Sequence, residues 1–357
     1  MSVEPTLVRG AETGPALVLR VAMADAREAA RQAAVIDDYF RPVTDRIDDR
    51  TRQALDTLFT GIVLAIDADL RGRAAQSAMK RGTVRDMATL VGGDVVVDRL
   101  RDTPAIRTGE VMGVLLARVE LDGLATRLAP MATTQDGVSL LSRLVDCPDP
   151  GVAAAAADLL TLEARRREVE APIVSELPAE LHHRLVWQVA AAIRAENTVF
   201  PDRDRALSDA AWHVIAAHDE GDGVEPAATR LAAAIDARCE ERPALLVESL
   251  GDRRPSLFVA VLAHAIGMDF DQARGVVIDP DGDRLLYALR AIGLDRSTVA
   301  RIGLALAQAD PRRDVDRLAD RIDAVMAVSI ADCVSAVSPL CLHRDFRDAI
   351  QTIGTAS

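Results

Sequence analysis

Apolar residues recur along this chain at helical spacing. From Thr51 they fall at Leu55, Leu58, Phe59, Ile62, Val63 and Ile66, the i, i+3, i+4, i+7 stripe of a helix with one buried face. Shorter stripes run through Val111, Leu115 and Val119, through Leu140, Leu141 and Leu144, through Leu181, Leu185 and Val189, and through Leu231 and Ile235. No convincing run alternates with the period of two that a half-buried strand needs. The nearest, Val95-Val96-Val97, is short and uniform. Breakers separate the stripes. Pro148-Asp149-Pro150-Gly151 removes helical donors and restricts the residues before each proline. Glu220-Gly221-Asp222-Gly223 is a polar loop and Asp279-Pro280-Asp281-Gly282 a turn. The pattern predicts an all-α fold of about fifteen helices, each about 10–18 residues long, joined by short turns.

One segment repeats. His264-Ala265-Ile266-Gly267-Met268-Asp269 returns 26 residues later as Arg290-Ala291-Ile292-Gly293-Leu294-Asp295. In each copy Ala-Ile closes an apolar face, and glycine suits the left-handed position that ends a helix. The next apolar residue folds back on the last turn, and aspartate caps the next helix by accepting from free N–H groups. Gln272, three residues after Asp269, completes the pattern of a capping box. Units of this kind stack because no single helix pair buries its own apolar face.

Leu177-Pro178-Ala179-Glu180-Leu181-His182-His183-Arg184-Leu185-Val186-Trp187, followed by Ala190-Ala191-Ala192, resembles the DUF2336 proteins of alphaproteobacteria. So does Leu257 to Leu294, with its two Ala-Ile-Gly turns and the Asp-Pro-Asp-Gly between them. The resemblance covers about Ser139–Gln308. It implies a HEAT-like helical repeat or superhelix of antiparallel helix pairs in two or three packed lobes. It carries no catalytic or binding residue. The expected domains are an N-terminal helical domain, 1–147, and a C-terminal repeat domain, 148–357.

Bulk composition narrows the function. Hydrophobic residues make up 49% of the 357, enough for a sizeable core, and aromatics only 3%. With 42 basic and 55 acidic residues the net charge is −13. That sign opposes phosphate backbones, so nucleic acid is not an expected partner. Lys80 is the only lysine, which reads as codon usage before it reads as selection for bidentate anion binding. Cys147, Cys239, Cys333 and Cys341 are scattered with no C-x-x-C pair, as in a reduced, cytoplasmic protein. Glu4, Arg9, Glu12 and Arg20 interrupt any leader-like apolar run. The longest stretch without Asp, Glu, Lys or Arg, Pro255 to Met268, has 14 residues; a span needs about 20. A soluble, cytoplasmic chain without a membrane partner is expected.

Chemical motifs are sparse. No phosphate loop, dinucleotide fingerprint, nucleophile elbow or H-E-x-x-H is present, so neither a cofactor nor a metal is expected. In the acidic turn Gly282 and Arg290 stand at positions four and twelve, where a calcium loop wants glycine at six and glutamate at twelve. His182 and His183 are adjacent and diverge on a helix; His213 and His218 are five apart. Gly92-Gly93-Asp94 has no lysine to hold phosphate.

Three places remain as partner- or anion-binding candidates. Arg165, Arg166 and Arg167 sit in the run Glu163–Glu168, which is a solvated helix face or a binding edge. His183 and Trp187, four apart, form a packing anchor or an exposed recognition patch. Arg253 and Arg254 precede Pro255, where a helix N-terminus can hold an anion.

The expected function is a non-catalytic protein-interaction or regulatory scaffold with a basic or amphipathic protein partner. Open helical stacks also favour self-association. The alternative is a sensor that binds a nucleotide or other small anion in an arginine-lined cleft. A third reading is a hydrolase or lyase assembled from scattered acids and histidines.

Overall fold

The computed structural model describes residues 14–39, 49–81, 93–101, 103, 106, 110–130, 138–167, 176–195 and 201–354. Glu4, Arg9, Glu12, Gly92 and Glu168 lie outside them. Among the described residues the regular structure is helical and no strand occurs. The helices are α1 (Gly14–Tyr39), α2 (Asp49–Arg81), α3 (Asp94–Arg101), α4 (Glu110–Arg127), α5 (Leu140–Val145) and α6 (Pro150–Arg167). Then follow α7 (Ala179–Ala195), α8 (Pro201–Ala216), α9 (Val224–Ile235), α10 (Arg242–Gly251), α11 (Pro255–Ile266) and α12 (Phe270–Ile278). The last are α13 (Asp283–Ala291), α14 (Arg296–Ala309), α15 (Leu318–Met326), α16 (Ile330–Val337) and α17 (Arg344–Gly354). Several are under ten residues, too short for an apolar stripe to register as a period. Val95–Val97 lies in α3, with Val96 and Val97 buried.

The chain divides into two compact units, one of residues 31–123 and 148–230, the other of 1–30, 124–147 and 231–357. Each expected domain, 1–147 and 148–357, therefore contributes to both units. In the first unit α2 packs on α7 and α8. Leu55, Phe59, Ile62 and Ile66 of α2 meet Leu185, Val189 and Ile193 of α7 and Leu207 and Ala211 of α8 in one core. Each of these leucine, isoleucine, valine and phenylalanine side chains gains about 1.5–3 kcal/mol on leaving water, and that gain drives the packing.

In the second unit α11 is apolar on every side. Leu257, Phe258, Val259, Val261 and Leu262 are all buried, as befits a central helix. It packs against α10 and α12, and α13 packs against α16. The repeated segment keeps its glycine conformation and its fold-back bond in both copies, while the glycine N–H donates to Ala263 O in one and to Arg290 O in the other. Gly267 and Gly293 end α11 and α13 at φ 81° and 82°. Met268 N–H donates to Ala263 O at 3.1 Å, and Leu294 N–H to Leu289 O at 3.2 Å. Both apolar side chains are buried. Asp269 Oδ1 accepts from Gln272 N–H at 2.7 Å and Asp295 Oδ1 from Ser297 N–H at 2.8 Å. The capping box is only half made: the Gln272 side chain turns away and its Nε2 reaches Asp25 Oδ1 at 3.5 Å.

Among the described residues no single helix is long and apolar enough to cross a membrane.

Candidate functional site

Helix α7 starts after Pro178, whose carbonyl accepts from His182 N–H at 2.9 Å. Leu181, Leu185 and Val189 face the core together with Val186 and Ile193. Burying that side leaves Glu180 and Arg184 exposed and His183 and Trp187 half-buried. On α8 the inward stripe is Leu207, Ala210, Ala211 and Val214. Trp212 lies about 140° round from Leu207 at 100° per residue, and is 57% exposed.

These elements bring three aromatic rings together. Trp187 and Trp212 meet edge to face, 5.6 Å between centroids and 83° between planes. His183 stands 6.1 Å from Trp212. Trp187 Nε1–H donates to His183 Nε2 at 3.0 Å, so His183 carries its proton on Nδ1 when neutral. The one polar group of Trp187 is thereby satisfied within the chain, and the part of that indole left at the surface is apolar and π in character. The patch joins both of the chain's tryptophans. His183 and Trp187 could be singled out from sequence; Trp212 was legible only in the register of α8, whose small inward residues leave it outside.

Behind the patch, the buried His182 ring stacks on His218, 3.9 Å between centroids. His218 Nε2–H donates to Leu177 O at 2.9 Å. Burial first, then His218 and His183, lower the His182 pKa from 6.5 to about 4. The adjacent histidines His182 and His183 diverge, as their spacing requires.

The arginine run is split by its helix. Arg165 is exposed. Arg166 turns inward, its Nη2 3.3 Å from Glu176 Oε2 and 3.4 Å from Asp122 Oδ2. The side chain of Arg167 lies outside the described residues. Glu176 also meets Arg118 Nη1 at 2.6 Å. Burial pushes the Glu176 carboxyl up against the pull of both guanidiniums. A cavity of about 10 Å³, room for no more than about one water, lies here, lined by Arg118, Glu176, Glu225 and apolar side chains. That is below the ordinary range of ligand pockets, about 300–1,000 Å³.

Arg253 and Arg254 sit in the other unit, before α11 as expected. Arg253 is exposed, but its guanidinium is bonded within the chain. Its Nε–H donates to Leu128 O at 2.7 Å and its Nη2–H to Thr126 O at 3.0 Å. Its backbone stands at φ 59°, a left-handed conformation that residues other than glycine seldom adopt. Burial lowers the Arg254 pKa.

The acids of the 279–283 turn all have cationic neighbours. Asp279 meets Arg284 Nε at 3.0 Å, Asp281 lies 3.7 Å from Arg27, and Asp283 meets Arg321 Nη2 at 2.5 Å. Among the described residues no cluster of three His, Cys, Asp or Glu has the geometry to hold a metal ion.

Residues 141–331 match the sequence model of a family described as an uncharacterised protein conserved in bacteria, DUF2336. The match takes in the repeated segment, the Trp–His patch and more than half of the chain. No curated protein and no solved structure matches the chain.

Proposed function

The chain belongs to the DUF2336 family of bacterial proteins, and on that footing we propose that it is a non-catalytic interaction or regulatory scaffold of the cytoplasm. Its helices pair in HEAT-like fashion, so that exposed faces of successive helices form one docking surface for a protein partner. One observation carries this reading: both tryptophans of an aromatic-poor chain stand together at the surface, with Trp212 more than half exposed. A large ring left in water gains from a partner that covers it, and tryptophan is enriched where binding energy concentrates.

The sensor alternative draws on arginines that have other work. Arg166 is engaged by Glu176 and Asp122, and Arg253 by two carbonyls. A hydrolase would need a free base in a substrate-sized pocket. The imidazole nitrogen His183 Nε2 is taken by Trp187, and His218 Nε2 by a carbonyl.

Affinity capture from lysate of the source bacterium, compared with a Trp187→Ala/Trp212→Ala variant, tests the proposal, alongside thermal shift against nucleotides. Expected are a protein enriched by the parent chain and lost with the variant, and an unchanged melting temperature with nucleotide. A shift of several degrees with a nucleotide and no enriched protein would overturn the scaffold in favour of the sensor.

A further inference from the structure

We propose that the Trp187–Trp212–His183 face docks a basic segment of a partner protein, with an arginine or lysine stacked on Trp212 and its neighbours paired with an acidic rim. The inference rests on the scaffold reading and adds the surface and the chemistry of what it binds.

The rim is built by two contacts. Ala179 N–H donates to Glu220 Oε2 at 2.8 Å, and His218 Nε2–H donates to Leu177 O at 2.9 Å. They fasten the turn after α8 to the start of α7. Asp219, Glu220 and Asp222 therefore lie at the end of α7 that carries Glu180. Glu180 is three residues from His183, so the two share a helix face. Acids and aromatic rings thus occupy one end of the α7–α8 pair.

The charges there are unbalanced. On these two helices Arg184 pairs with Glu110, Arg194 with Asp204 at 3.0 Å and Arg205 with Asp202 at 3.8 Å. Glu180, Asp219, Glu220 and Asp222 meet no cationic side chain within ion-pair distance among the described residues, and all four are exposed. Arg230 also reaches this turn, its Nη1–H donating to Gly221 O at 2.9 Å while its Nη2 pairs with Asp158 at 2.6 Å, so the four acids outnumber the one cation beside them and their summed field attracts a further cation to the edge of the indoles. A guanidinium or ammonium over an indole face gains from the ring's negative quadrupole, and indole is the best of the aromatic rings for it. The edge-to-face pairing fixes both indoles while leaving Trp212 open. The chain's net charge of −13 acts in the same direction at long range.

Because both tryptophans are in the patch, the intrinsic fluorescence of the full chain reports on it. The probe is a synthetic arginine–leucine amphipathic helix, with a glutamate–leucine counterpart as control. Expected is a saturable emission change with the arginine peptide only, weakened by added salt. Trp212→Ala should weaken it about tenfold, with Trp187 still reporting, and so should Glu180→Arg. Both positions are exposed, and far-ultraviolet dichroism checks that each variant stays folded. Equal titration by both peptides, no titration, or an arginine-peptide titration that neither variant weakens would overturn the assignment. If the parent chain captures a partner that Trp212→Ala and Glu180→Arg retain, this surface fails while the scaffold stands. If the parent captures nothing, the scaffold fails and the peptide titration still decides the surface.

Discussion

The imidazoles of His182 and His218 lie ring on ring, 14° from parallel. His182 is 1% exposed, and neither of its ring nitrogens has a hydrogen-bond partner among the described residues. A proton added there would place a cation in the interior with no acceptor, beside a second imidazole and near His183. The pKa of about 4 states that cost.

The sign of the pH effect follows. The unfolded chain binds this proton near 6.5 and the folded chain only near 4. The stability is present in full above about 6.5 and is lost as pH falls toward 4, by about 3 kcal/mol in total. Glu176 and Asp279, whose pKa values burial raises, act in the opposite direction. The test is therefore a difference: urea unfolding of the parent and of His182→Leu from about pH 7 to pH 4.5. The gap between them should shift in favour of the variant as pH falls. A gap that stays constant would remove His182 as the source.

Gly267 and Gly293 offer a comparison of two copies of one device. A Cβ at either meets nothing within 4 Å, so replacement costs only the left-handed backbone. Gly267→Ala and Gly293→Ala should each lose about 1–2 kcal/mol, and asparagine should recover part of that. Urea midpoints measure it. Equal losses at the two sites would match their equal φ angles; a loss at one site alone would separate the copies energetically.

Arg284 is 1% exposed, with Asp279 Oδ2 at 3.0 Å, Asp25 also bonded and Gly275 O at 3.3 Å. Burial raises the Asp279 pKa while Arg284 pulls it down. Arg284→Met would leave the Asp279 carboxylate buried without its cation, at a cost of about 3–5 kcal/mol. Adding Asp279→Asn to that variant should restore part of the loss, read by chemical denaturation. An arginine that matters only for its volume would show no such rescue.

What the sequence discloses is local. Leu55 to Ile66, the Gly267 and Gly293 stops and the Asp269 and Asp295 caps are decided within one or two turns, and each lies where its spacing places it. What it hides depends on partners distant in sequence. Each unit gathers segments far apart in the chain, and no local pattern encodes that. The His182–His218 stack joins residues 36 apart. Arg253 reads as an anion-binding candidate because its neighbour is a helix start, yet carbonyls 125 and 127 residues away claim its guanidinium. Gln272 reads as a capping-box residue until Asp25, 247 residues away, competes for its amide.

Arg165 and Arg166 convert that distinction into a measurement. They are adjacent, identical in type and indistinguishable by composition, but α6 turns one to solvent and the other toward Glu176 and Asp122. Removing Arg166 leaves the buried Glu176 carboxylate with Arg118 as its remaining close cation, and raises its pKa further. Arg166→Ala should cost about 1–2 kcal/mol near neutral pH, and less as falling pH protonates the folded Glu176 carboxyl, whose pKa burial raises. Arg165→Ala should stay within about 0.5 kcal/mol at any pH. Unfolding of the two variants at about pH 7 and pH 4.5 checks both statements. Equal losses would mean that the run acts as one charged face, and a loss confined to Arg166 that shrinks in acid would identify it as the partner that keeps Glu176 ionised.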